Sequence, residues 1–169
     1  GRTVRKAGWP ATIALQSNGT LVDRHLIDLC LRYDISIGVS LDGPPDVQEE
    51  LRGMSGATFR GLSMLEKAEM PVRTTAVLSS VNAGRFRDLA LVLARFRNIR
   101  GVGLDPIVMT GRAKKKPDLF PAPETVRSGV QALFDAMEWI RRDHGRRIDW
   151  RERSAVRQAL SGSGPIGPY

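Results

Sequence analysis

Residues 35–44 read Ile35-Ser36-Ile37-Gly38-Val39-Ser40-Leu41-Asp42-Gly43-Pro44. The run alternates strictly. Ile35, Ile37, Val39 and Leu41 share one face of an extended chain, and Ser36, Gly38 and Ser40 share the other. Gly43-Pro44 then stops the strand. A parallel strand covered by helices buries its apolar face against them. In a barrel packed shut the opposite face carries bulky branched side chains. Here that face is small and polar, so it borders a lumen or cleft that ligand or water fills. The alternative is a sheet face open to solvent, which is uncommon for parallel sheets.

Three further β-rich runs flank this one: residues 11–16, 72–79 and 101–108. In the first, Ile13 and Leu15 oppose Thr12, Ala14 and Gln16. Helix-period stripes separate the runs: Leu26, Leu29, Cys30 and Tyr33 after Asp23, then Phe59, Leu62 and Leu65 before Pro71, then Phe86, Leu89, Ala90, Leu93 and Phe96. Strand starts recur about every 24 to 37 residues, the length of one βαβ unit. The pattern predicts an α/β chain of parallel βα repeats with right-handed crossovers. Residues 111–123, with Gly111, three lysines and three prolines, read as a loop. Val126, Val130, Leu133, Phe134, Met137 and Ile140 then mark a long amphipathic helix, and a shorter Arg-rich helix starts near Asp149. The last residues, 161–169, have linker composition.

The chain has 169 residues, 41% hydrophobic and 26% charged, enough for one domain with a real core and unlike a disordered chain. No apolar run is long enough for a membrane span, and no signal peptide follows Gly1-Arg2-Thr3-Val4-Arg5-Lys6. A single cysteine, Cys30, excludes an internal disulfide and any all-cysteine metal site made by this chain alone, and points to a cytoplasmic setting. It lies on an apolar stripe and reads as a core residue. His25 and His144 have no ligand-spaced partner, so no metal site is expected. The formal charge of +8 comes mostly from scattered arginines, with one run at Lys114, Lys115 and Lys116. Without interleaved aromatics it reads as a solvated basic surface rather than a nucleic-acid footprint.

Candidate binding residues gather where strands end, at the rim where α/β proteins bind ligands. Ser17-Asn18-Gly19-Thr20 closes the first strand, either as a plain turn or as a rim carrying Asn18. Ser40 and Asp42 close the second, and Arg52 follows on a segment able to fold back over the same rim. A serine hydroxyl and a guanidinium on one spot would hold a carboxylate; by itself, Arg52 reads as a surface cation.

Leu15-Gln-Ser-Asn-Gly-Thr-Leu21, Ile37-Gly-Val-Ser-Leu-Asp-Gly-Pro44, Leu51-Arg-Gly, Gly56-Ala-Thr-Phe59 and Gly111-Arg112-Ala113 form an ordered set. Together they resemble the radical SAM enzymes of the SPASM group, above all the anaerobic sulfatase-maturating enzymes and related peptide maturases. The resemblance spans residues 11 to about 113. It implies the second half, about four strands, of a partial (β/α)6 TIM-like barrel over residues 1–120, with residues 121–169 a helical extension and linker towards a SPASM domain. It implies that Ser40 and Arg52 bind the carboxylate of S-adenosylmethionine, with Gln16, Asn18 and Asp42 at the same rim and the backbone near Leu104 against adenine. In that family a C-x3-C-x2-C loop holds a [4Fe–4S] cluster, and a 5′-deoxyadenosyl radical modifies a peptide or protein substrate. This chain has neither that cysteine loop nor the Gly-Gly-Glu-type strand. It therefore reads as an interior piece of a larger maturase, inactive alone and not expected to bind the cofactor tightly. The alternatives are a non-catalytic scaffold that binds a peptide or partner, and a basic nucleic-acid binder. Four strands would leave two open sheet edges, a surface for homo-oligomer pairing.

Overall fold

The computed structural model describes residues 12–110, 113–114 and 116–161. Gly1–Lys6, Ala11, Gly111-Arg112 and the linker after Ser161 fall outside them. The order is β1 (Ile13–Ser17), α1 (Arg24–Tyr33), β2 (Ile35–Ser40), α2 (Pro45–Arg52), α3 (Ser55–Lys67), β3 (Val72–Leu78), α4 (Phe86–Arg95), β4 (Ile99–Pro106), α5 (Pro123–His144), β5 (Asp149–Trp150) and α6 (Arg151–Leu160). The strands form one sheet in the order β1-β2-β3-β4-β5, every neighbouring pair parallel.

Local chemistry accounts for the boundaries. Asp23 accepts the Leu26 N–H at 2.7 Å and starts α1. Proline at the first position suits α2, because its missing N–H is one a helix start leaves free. Gly145, at φ 63°, turns the chain out of α5. At Gly61 a Cβ would stand 2.1 Å from the Gly19 carbonyl oxygen, so only glycine lets α3 lie against the turn after β1.

The alternation of β2 decides which way the sheet faces. Ile37 and Val39 are buried with Val72, Ile99 and Val102 of the neighbouring strands. The helices add Ile27 and Cys30, Leu62 and Leu65, Leu89 and Leu93, and Leu133 and Ile140 to the same core. Helices thus cover one face, and Ser36, Gly38 and Ser40 lie on the other.

Two expectations need correction. Leu15 is 38% exposed: β1 is the outer strand among the described residues, and no helix covers its apolar side fully. The sheet has five strands, not four, because Asp149–Trp150 pairs with Gly101 and Val102. That pairing, with α6 packed beside it, covers part of the β4 edge that was expected to lie open. α5 shares the core, and β5 the sheet, with the elements that precede them.

Among the described residues no helix is long and apolar enough to cross a membrane.

Candidate functional site

On the uncovered face, neighbouring strands align residues in rows. Gln16, Gly38, Arg73, Gly101 and Asp149 form one row, and Ser40, Thr75 and Gly103 the next. The glycines supply room. A Cβ on Gly38 would meet Gln16 Oε1 at 2.2 Å, one on Gly101 would meet Arg73 Nη1 at 2.7 Å, and one on Gly103 would meet the Arg151 Cζ at 2.6 Å. Long polar side chains therefore lie against the sheet instead of rising from it.

A cavity of about 480 Å³ opens at the strands' C-terminal end. Gln16, Ser40 and Arg52 line it, with Thr75 and Val77 of β3, Asp105 of β4 and Arg151 of α6. Gln16 Nε2 donates to Ser40 Oγ at 3.2 Å, leaving the serine's own proton free to turn into the cavity.

Arg52 is held from behind. Its Nε and Nη2 donate to the Asp42 carboxylate at 2.5 and 3.1 Å. Asp42 is 2% exposed, does not line the cavity, and also accepts the Val77 N–H at 2.8 Å. Arg52 Nη1 makes no hydrogen bond among the described residues. Two fully buried side chains brace the turn around Asp42. Gln48 accepts the Asp42 N–H at 2.8 Å and donates to the Ser40 carbonyl at 3.3 Å. Asn82 donates to the carbonyls of Asp42 and Val77 at 3.0 and 2.8 Å. Such a bidentate pair fixes the guanidinium plane, so its remaining edge meets a ligand with little ordering cost.

The other candidates sit differently. Asn18 is exposed and outside the cavity; its Oδ1 accepts from the Thr20 N–H at 3.1 Å and the Thr20 hydroxyl at 2.8 Å, which is the plain turn. The Leu104 backbone is taken by α6: its N–H donates to Glu152 Oε1 at 3.1 Å, and its carbonyl accepts from Arg151 Nη2 at 3.2 Å.

Thr75, Asp105 and Arg151 escaped the reading of the sequence. The alternation Gly101, Gly103, Asp105 carries the signal for Asp105. Arg151 arrives only because β5 delivers α6 beside β4, where it meets Asp105 at 2.6 Å.

The residues do not fit an iron–sulfur cluster. Cys30 is 2% exposed in the core, burial pushes its thiol up, and no group of three or more His, Cys, Asp or Glu among the described residues could hold a metal.

No family model matches the chain. A stretch of 98 residues is 31% identical to an uncharacterized protein of Synechocystis, covering 54% of this chain and 24% of that protein. A stretch of 134 residues is 27% identical to Fe-coproporphyrin III synthase of Methanosarcina barkeri, covering 78% of this chain and 33% of that protein. The matches thus span a quarter to a third of those relatives. Among solved structures, anSMEcpe with bound AdoMet superposes with a TM-score of 0.80 at 16% identity, over 98% of this chain and 47% of that one. A domain of pyruvate-formate lyase-activating enzyme from Bacteroides vulgatus gives 0.59 at 16% identity, over 86% of this chain and 83% of that one. The fold is the parallel α/β, partial TIM-like barrel of these neighbours. The chain resembles the anaerobic sulfatase-maturating enzymes in fold and spans about half the length of that solved chain.

Proposed function

We propose that this chain is part of a radical SAM enzyme that modifies a peptide or protein, and that it contributes the carboxylate end of the S-adenosylmethionine pocket. One observation carries the reading: Ser40 and Arg52, twelve positions apart in sequence, line one cavity at the strands' C-terminal rim, with Arg52 aimed by buried Asp42. The Ser40 hydroxyl and Arg52 Nη1 are donors suited to a carboxylate. Gln16 orients the serine. Asn18 and Asp42 are withdrawn to supporting roles, one in the turn and one behind the arginine. The Leu104 backbone could meet adenine only if α6 moved off it, so its assignment rests on the resemblance alone.

A solved relative contains AdoMet together with the Kp18Cys peptide, which supports a peptide as substrate here. When bound beside its cluster, S-adenosylmethionine supplies a carbon radical. The cluster's thiolates are not among these residues, whose one cysteine is in the core, so no step through it follows from this chain. Residues 121–169 are proposed to lead towards the SPASM region. The chain alone is proposed to be inactive.

The test is calorimetric titration of S-adenosylmethionine into the full-length gene product, reconstituted with iron and sulfide. Arg52→Ala removes a charge-assisted contact, of order 1.5–3 kcal/mol, so affinity drops about 10- to 150-fold. Ser40→Ala gives a smaller loss in the same direction. Unchanged affinity in Arg52→Ala refutes the assignment.

A further inference from the structure

A second cavity, about 330 Å³, lies between α5 and α6, away from Ser40 and Arg52. Its floor is apolar but shallow, with Met137 and Ile148 each 8% exposed and Phe134 partly covered by Arg153. Its rim carries Arg141 from α5, Arg147 from the connecting segment, and Arg153 and Arg157 one turn apart on α6. The acidic answer is incomplete. Glu138 is shared by Arg153 at 2.5 Å and Arg141 at 2.9 Å, and these hydrogen bonds hold its carboxyl below the usual range. Asp149 is committed to Ser154 at 2.5 Å and to Arg73, outside the cavity, at 3.0 Å, and feels the charge of Arg147 without a direct ion pair. The side chains of Arg147 and Arg157 are exposed and make no hydrogen bond or ion pair among the described residues.

We propose that this cavity binds an acidic peptide segment carrying an apolar side chain. The apolar side chain fits the floor, and the carboxylates meet Arg147 and Arg157, which have guanidinium edges to give. A rim of cations around an apolar floor suits an amphipathic acidic chain better than an evenly charged polymer. Single-stranded nucleic acid calls for exposed aromatic faces on which bases stack; of the two aromatics lining this cavity, Phe134 lies under Arg153 at 4.8 Å and Trp150 is only partly exposed. The site needs no cofactor, so it stands or falls apart from the S-adenosylmethionine reading.

The experiment is fluorescence anisotropy of a short fluorescein-labelled peptide of glutamates flanking one leucine, titrated with the full-length gene product. R147E/R157E weakens binding at least tenfold, and Arg157→Gln weakens it severalfold without a reversed charge. Arg60→Glu, an exposed cation on α3, changes it about twofold or less. Replacing the peptide's leucine by serine, or its glutamates by glutamines, also loses binding. Equal losses in Arg60→Glu and R147E/R157E overturn the site in favour of general charge attraction. Indifference to the glutamine peptide overturns it as well. Single-stranded DNA that outcompetes the peptide and is lost with R147E/R157E overturns it in favour of nucleic acid.

Discussion

The two ends of the sheet are fastened by opposite chemistry. At the strands' C-terminal end, the buried carboxylate of Asp42 collects donors from Arg52 and the Val77 backbone. At the N-terminal end, the Arg146 guanidinium collects acceptors, the carbonyls of Leu93, Ala94, Phe96 and Ile99. The βα repeat explains the contrast. Helices start at one end, with spare N–H groups and the positive end of their dipoles, and finish at the other, with spare carbonyls. An anion therefore suits the first end and a cation the second. The first places its fastening beside the cavity lined by Ser40 and Arg52, so it holds the proposed carboxylate-binding arginine in position.

The largest expected effect comes from breaking the anionic end. Asp42→Ala leaves Arg52 without its partner and the Val77 N–H unmet. Removing one member of a buried pair costs about 3–5 kcal/mol; Arg52 is 25% exposed, which brings the expectation to about 3. Urea unfolding with an unchanged slope measures it. A loss below about 1 kcal/mol would show that water replaces the pair and that the Arg52 orientation is not built in.

The cationic end should be worth less. Arg146→Met keeps the stem and removes the donors from the four carbonyls. Burial already pulls the Arg146 guanidinium below its ordinary value, so part of the hydrogen-bond gain is offset. The expected loss is about 2 kcal/mol, within the range for hydrogen bonds to a charged group. If hydrogen exchange at the α4 C-terminus stayed as slow as in the parent chain, the capping role would be refuted.

How far each end could be read from the sequence follows the same division. The Ile37/Val39 alternation and the helical stripe after Asp23 are local patterns, and they located the face and the helix start; Ser40 and Arg52, paired through the resemblance, line the same cavity. Asp42 stood out only as a rim residue, because nothing local says that Gln48 and Asn82 will bury it. Arg146 carried no signal, since its acceptors are backbone groups about fifty residues away. The strand Asp149–Trp150 is too short for periodicity to register. Residues 45–52 read as a segment folding back, and only their packing makes Arg52 the last residue of a helix.

A third prediction concerns β5, which ties the C-terminal helix to the sheet. Partial burial would raise the Asp149 carboxyl, but hydrogen bonds from Ser154 and Arg73 outweigh it and hold the group below its ordinary 3.8. A depressed carboxyl contributes stability above its unfolded value and loses it as pH falls through the folded one. The Arg73 link should therefore be constant from pH 5 to 8 and fade only below about pH 4. Its worth is less than about 1 kcal/mol, because Arg73 is 60% exposed. Comparing Asp149→Asn with the parent chain across that range checks it; a difference that grew between pH 6 and 8 would point to another group.

The smallest effect sharpens the comparison most. Arg85 meets Asp88 at 2.5 Å, the same separation as Arg52 to Asp42. It also reaches Asp46 on α2 at 3.2 Å, beside the anionic end. Yet the side chains of Arg85 and Asp88 are 44% and 38% exposed, whereas that of Asp42 is 3% exposed. Water and salt screen the exposed pair, and ordering two long side chains consumes what remains. Arg85→Ala should leave the urea midpoint where it was, at both low and moderate salt. A shift approaching that of Asp42→Ala would mean that distance, rather than burial, sets the strength of these pairs, and the case for Asp42 as the fastening of the cavity wall would lose its footing.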